Sequence, residues 1–370
     1  MRTSSTLRYP HLRLDLDALE RNVDVMRAWS QRRGLVLAPH VKTTMCRPII
    51  DRQVAAGAHR LTVATVAQAE TLWGWGHQAV LVANEVVSDA DIQVLKAQHT
   101  QSPATNLACF VDSRWGVEQL AKAFRDWQRP FSVLLDVGML GGRSGVRTRT
   151  EAAEMAELVV RAPGLALTGV AGYEGVVGND RERSLERVDA YCAYLVEVFS
   201  SLRDVYEVER PILSLGGSMY PDRVWVAMRS AERSNHVLEL RSGCYVIHDH
   251  GAYAASPIEG LTPAAAVKAL VVSRPEEDMF IIGAGKRDLP YDSGLPTVLQ
   301  SGSELLPKIE VVALFDHHAV ARGASAAGVG DEVTFGISHP CSLFDRYDTF
   351  SVDAGGRRRA TWSTSFARAT

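Results

Sequence analysis

Apolar positions along this chain fall into two alternating kinds of pattern. Short, β-branched apolar runs occur at 35–41, 60–64, 79–83, 107–111, 131–136, 165–170, 211–215 and 236–240. Between most of them the apolar spacing turns helical. The clearest case is 17–33, where Leu19, Val23, Met26 and Trp29 make one stripe, Asp17 stands at the expected N-cap and Gly34 at the expected end. Strand patterns that alternate with helices predict a parallel sheet, and eight of them predict an α/β (β/α)8 barrel of the TIM type. A doubly wound open sheet is the competing arrangement, and the count of eight favours the barrel.

The pattern changes near residue 245. Beyond it come strand-like runs at 266–273, 279–282, 309–314 and 332–337, with Gly-rich turns and little helical spacing. This predicts a barrel over 17–245 and a smaller β-rich domain from 1–16 plus 246–370, the leading strand pattern at 11–16 included.

Composition narrows the partners. Forty Lys and Arg against 43 Asp and Glu leave a net charge of −3, scattered along the chain. No basic patch suits nucleic acid or an acidic membrane. The run Arg357-Arg358-Arg359 reads as a solvated turn. No apolar stretch approaches a membrane span, and the first ten residues lack the apolar core of a signal peptide. Five cysteines without paired spacing fit a reducing cytoplasm.

Candidate chemistry gathers at the ends of the barrel runs. Lys42 follows the first run directly, in Pro39-His40-Val41-Lys42-Thr43-Thr44. Strand C-termini line the active face of such a barrel. Schiff-base chemistry needs an amine in such a partly buried, electrostatically tuned place; the structural alternative is a surface lysine. Ser214-Leu215-Gly216-Gly217-Ser218 follows the seventh run and Arg241-Ser242-Gly243-Cys244-Tyr245 the eighth. Glycines let backbone N–H groups approach a phosphate, and this barrel commonly binds phosphate after strands seven and eight. In the β-rich part, Ser338-His339-Pro340-Cys341 places an imidazole and a thiol on one side of an extended segment. That donor pair favours zinc, and two ligands leave an ion open to water or substrate. His248-Asp249-His250 is a second histidine cluster, read as support around the site or at the domain seam.

These segments resemble the D-threonine aldolase and D-serine dehydratase family, pyridoxal-phosphate (PLP) enzymes of fold type III that share the alanine racemase barrel. The likeness runs from Leu14-Asp15-Leu16-Asp17 to Phe344-Asp345, and Lys42-Thr43-Thr44-Met45 and Ser338-His339-Pro340-Cys341 come closest to members labelled D-amino-acid deaminases. The resemblance implies that Lys42 carries PLP. His40, Arg143, Tyr173, Gly216, Gly217, Ser218, Gly243, Cys244 and Tyr245 would surround it, with Arg143 at the pyridine nitrogen. Arginine keeps its proton, so the ring becomes a weaker electron sink. His339 and Cys341 would bind a divalent metal, zinc ahead of manganese. His318 matches a substrate-site histidine, although His317 replaces an acid of the family pattern. The β-domain loops 283–286 and 291–296 imply a homodimer, and Asp292 in the second loop is a substrate-site candidate. The implied reaction is loss of water from a β-hydroxy-D-amino acid to give a 2-oxo acid and ammonia. The alternatives are retro-aldol cleavage to an aldehyde and glycine, and a non-catalytic PLP-binding protein.

Overall fold

The computed structural model describes residues 8–101, 105–178, 180–231, 235–301, 304–305 and 309–366. By its internal contacts the chain forms two compact units. One holds Arg27–Lys42 and Gln53–Gly243; the other holds Thr43–Arg52, Cys244–Phe366 and the N-terminal residues up to Met26. Residues 1–7 and 367–370 of the expected domain ranges lie outside the described part.

In the first unit eight strands run parallel: β2 (Val36–Leu37), β3 (Leu61–Val63), β4 (Ala79–Glu85), β5 (Asn106–Val111), β6 (Phe131–Asp136), β7 (Leu165–Ala171), β8 (Ile212–Leu215) and β9 (Val237–Leu240). Their order, β2-β9-β8-β7-β6-β5-β4-β3, runs the sheet around, and a parallel bridge from His40 to Thr62 joins its ends. The result is the TIM-type barrel expected from the eight apolar runs. Side chains fill its interior: Leu81, Ala108, Phe110, Leu134 and Ala171 form one buried cluster. Every residue of β7 is buried, as a strand covered on both faces must be.

Short polar caps fix where the helices begin and so hold the βα turns in place. Thr65 caps α3 (Val66–Gly74), Ser113 caps α5 (Arg114–Phe124), and Thr148 with Glu151 forms a capping box on α6 (Arg149–Arg161). The first helix, α1 (Leu16–Gln31), begins two residues earlier than a cap at Asp17 implies. Its cap is therefore Asp15, whose Oδ1 accepts from Ala18 N–H at 3.1 Å. Asp17 instead accepts from Gly355 N–H. Gly34 closes the helix at φ +67°, a conformation that suits glycine.

The first apolar run does not stay a strand throughout. Only Val36–Leu37 joins the ladder, and Val41–Thr43 winds into a 3-10 turn that carries Lys42.

The second unit is built on a mixed sheet. Its path is β13 (Glu304–Leu305), β12 (Thr297–Ser301), β16 (Glu332–Gly336), β10 (Ala265–Glu276), β1 (His11–Asp15), β17 (Thr349–Ala354) and β18 (Arg357–Ser363). β1 is antiparallel to β10 and parallel to β17. A side branch of β11 (Met279–Ile282), β15 (Ala319–Arg322) and β14 (Glu310–Leu314) leaves from β10. Arg357, Arg358 and Arg359 are not a turn. They open β18, an edge strand, and their side chains face solvent there.

Candidate active site

The barrel unit brings together the turns that follow β6, β7, β8 and β9. Arg143 lies over the ring of Tyr173, with the guanidinium carbon 4.9 Å from the centroid. Tyr173 in turn packs on the turn after β8. A Cβ on Gly217 would stand 2.7 Å from Tyr173 Cε2, so only glycine fits there. Gly216 has φ +101°, which the turn needs at that point. A Cβ on Gly243 would come within 2.1 Å of the His40 carbonyl oxygen, and His40 N–H donates to Arg241 O at 3.1 Å. The Lys42 segment is thereby pinned to the turn after β9. Burial, then the charges of Lys42, Arg241 and Arg143, push the His40 imidazole well below its usual pKa and keep it neutral. Its Nδ1 is buried without a hydrogen-bond partner among the described residues.

Beneath these turns lies a buried polar network that reaches from the motif residues Ser214 and Arg241 to Arg60 and Glu239, which belong to no motif. Arg60 donates twice to Glu239, at 2.6 and 2.9 Å. Ser214 donates to Glu239, while Arg241 donates to Ser214 Oγ at 2.7 Å and to Gly172 O at 2.5 Å. Burial alone would raise the Glu239 pKa; the charge and hydrogen bonds of Arg60 outweigh it and hold the carboxyl below its usual value. The ends of β7, β8 and β9 are tied together by these bonds. Glu174, next to Tyr173 and wholly buried, accepts from Gly217 N–H at 2.7 Å. Burial pushes its carboxyl up. One glycine N–H of the expected phosphate turn therefore already has a partner, and Ser242 donates to Gly217 O from the other side. Ser218 lies half-buried beside it.

The second unit gathers the sulfur and imidazole donors. Nδ1 of His339 stands 2.6 Å from Asp292 Oδ2, and Ser342 donates to Asp292 Oδ1 at 2.6 Å. With Nδ1–H given to the carboxylate, Nε2 presents its lone pair, the arrangement by which a carboxylate orients a metal-binding histidine. Tyr253 OH lies 3.4 Å from that Nε2, and the two rings meet edge to face. Tyr253 is held by Asp249, which is buried, pushed up to about 6 by that burial, and accepts from Gly251 and Tyr253 N–H. Cys341 Sγ is 3.1 Å from Cys244 Sγ, and Thr43 Oγ1 stands 3.4 Å from Cys244 and 3.7 Å from Cys341. The contact with Cys341, against the effect of burial, pulls the Cys244 thiol down to about 6. Tyr245 is buried in the same 3-10 turn as Cys244.

The thiol, the imidazole and the orienting carboxylate suit a borderline-soft divalent ion such as zinc. No grouping of three or more His, Cys, Asp or Glu able to hold a metal is found among the described residues. His318 is placed apart from this chemistry in one respect: it lies on the exposed turn between β14 and β15, and its side chain makes no hydrogen bond or ion pair with a described residue. His317 approaches Asp288 at 3.9 Å. Thr43, Glu174 and Arg241 lie inside motifs that the sequence singles out but carry no assigned role there, and Tyr253 lies in none of them.

A (β/α)8 barrel followed by a mixed β domain, with a lysine turn and glycine turns at the strand ends, is the architecture of the fold-type III PLP enzymes. Residues 14–220 match the alanine racemase N-terminal domain, so the chain belongs to that family. Residues 264–352 match a putative serine dehydratase domain. A D-threonine aldolase of an Arthrobacter species is 27% identical over 96% of this chain and 92% of its own. A D-threo-3-hydroxyaspartate dehydratase of a Delftia species is 26% identical over 97% of this chain and 98% of its own. A solved D-threo-3-hydroxyaspartate dehydratase, a cysteine-to-alanine variant described as metal-free, superposes with a TM-score of 0.80 at 22% identity, covering 98% of this chain and 99% of its own.

Proposed function

We propose that this protein is a PLP- and divalent-metal-dependent lyase of β-hydroxy-D-amino acids, and that it eliminates water to give a 2-oxo acid and ammonia. The observation that carries the reading is local: the 3-10 turn that bears Lys42 continues into Thr43, whose hydroxyl stands 3.7 Å from Cys341. The residue that follows the proposed cofactor lysine thus touches a proposed metal ligand. The relatives named as a D-threonine aldolase and a hydroxyaspartate dehydratase support the substrate class.

Lys42 would hold the cofactor, with Arg143, Tyr173 and His40 around the ring and Gly216, Ser218, Gly243, Cys244 and Tyr245 around the phosphate. PLP, when bound, supplies an electron sink conjugated to the substrate's Cα. Lys42, set free by substrate, takes the α-proton and holds it at Nζ. His339 and Cys341 would hold the metal, whose contribution is Lewis-acid help to the departing β-hydroxyl. Asp292 keeps the His339 imidazole turned for this. Arg143 cannot give a proton to the ring nitrogen, and a weak sink suits elimination with an assisted leaving group better than a long-lived carbanion. The same groups serve retro-aldol cleavage if a base instead takes the proton of the β-hydroxyl. The sequence forms Lys42-Thr43-Thr44-Met45 and Ser338-His339-Pro340-Cys341 favour elimination. We further propose a homodimer.

Incubation of the PLP- and zinc-loaded protein with D-serine, D-threonine and D-phenylserine tests the choice. Ammonia and 2-oxo acid in equal amounts are expected. Glycine and aldehyde without ammonia would replace elimination by the aldolase reading.

A further inference from the structure

Cys244 and Cys341 stand apart from the other three cysteines. Cys46, Cys109 and Cys192 are buried, and burial pushes their thiols up, Cys46 to about 12. Such thiols are inert. Cys341 is only partly buried and its sulfur lies 3.1 Å from that of Cys244. A disulfide needs about 2.05 Å, so roughly 1 Å of approach closes the bond. Thr43 Oγ1 lies within hydrogen-bonding reach of both sulfurs. The two cysteines are 97 positions apart in sequence, so the tertiary fold alone makes this pair.

We propose that Cys244 and Cys341 form a reversible disulfide that takes the metal-binding thiol of Cys341 out of service. The consequence for metal rests on the reading of Cys341 as a ligand given above; the disulfide itself rests only on the sulfur geometry. With a peroxide as oxidant, the partly exposed Cys341 sulfur takes one oxygen as the O–O bond breaks, and water leaves. The Cys244 sulfur then attacks the resulting sulfenic acid, the S–S bond forms, and a second water leaves. Two thiols are oxidised and one peroxide is reduced to two waters. A bound metal occupies the Cys341 thiolate and opposes the reaction. Oxidant and metal thus compete for one sulfur.

The test uses the full-length protein, stripped by chelator or loaded with zinc, and exposed to hydrogen peroxide. Peptides are then mapped by mass spectrometry without reduction, and zinc affinity is measured with a competing dye. The expected result is a Cys244–Cys341 cross-linked peptide and loss of two titratable thiols in the stripped protein. Zinc loading should slow cross-linking at least tenfold. The oxidised protein should bind zinc at least tenfold more weakly, and reductant should restore it. Cys244→Ser should give no cross-link, with Cys341 oxidising onward to the sulfinic acid. A stripped wild type that loses thiols without that cross-linked peptide would overturn the proposal and leave Cys341 as a ligand untouched. A cross-link that leaves zinc affinity unchanged would overturn the switch by removing Cys341 from the metal site.

Discussion

Replacing Arg60 with methionine should be among the most damaging single changes in the barrel, although Arg60 touches neither lysine nor proposed metal ligand. The Arg60 and Glu239 side chains are 2% and 0% exposed. Two hydrogen bonds at 2.6 and 2.9 Å satisfy the carboxylate from one side and Ser214 from another. Methionine fills much of the volume but leaves a buried carboxylate without its cation, a loss of about 3–5 kcal/mol. The sign with pH follows from Glu239. In the wild type its pKa is held below the usual 4.5, so the pair's contribution is present above that value and lost as pH falls through the folded pKa. In Arg60→Met the same carboxyl is raised, so the deficit is largest near neutral pH and shrinks as acid protonates it. Urea unfolding between pH 5 and 8 (chosen as roughly the usual range of maximal stability) measures this directly, with Arg60→Met/Glu239→Gln as the partner variant. The double variant should recover most of the loss. A single variant within about 1 kcal/mol of wild type at pH 7, or a deficit that grows as pH falls, would refute the reasoning.

Other consequences are open to quicker tests. Asp292→Asn should weaken zinc binding by about 10- to 100-fold, read with a competing chelator, because His339 loses the carboxylate that turns it. Gly217→Ala should raise the PLP dissociation constant, measured by absorbance titration, since its Cβ would meet Tyr173 at 2.7 Å. Burial, then Asp136 and Asp112, push Glu85 from 4.5 to about 8. Folded protein thus binds the extra proton between those values, and stability from this group falls as pH rises through them. The Tm of Glu85→Gln relative to wild type should therefore rise over roughly that interval, and a flat difference would contradict the assignment.

Much of the fold was legible because burial writes itself into apolar runs. All eight barrel strands were found from β-branched runs, since strands covered on both faces read as continuous apolar stretches. The β domain was harder. β12, β13, β15, β17 and β18 were missed: β13 and β15 are short, and β18 is largely exposed and opens on three arginines. Polar residues in an edge strand give no periodic signal. The capping error at α1 is of two residues, and both Asp15 and Asp17 have side chains able to cap. For the site, sequence named the residues at strand ends but not those that hold them. Glu174, Arg241 and Arg60 act through long-range hydrogen bonds, which pairing across the barrel creates and spacing along the chain does not reveal. The approach of Cys244 to Cys341 belongs to the same kind.

Borohydride reduction tests whether Lys42 carries the cofactor. The protein loaded with PLP is reduced, digested and mapped by mass spectrometry. A single pyridoxyl adduct is expected on the peptide that contains Lys42, absent from Lys42→Ala. An adduct on a different lysine, or a wild type that takes up no PLP, would contradict it.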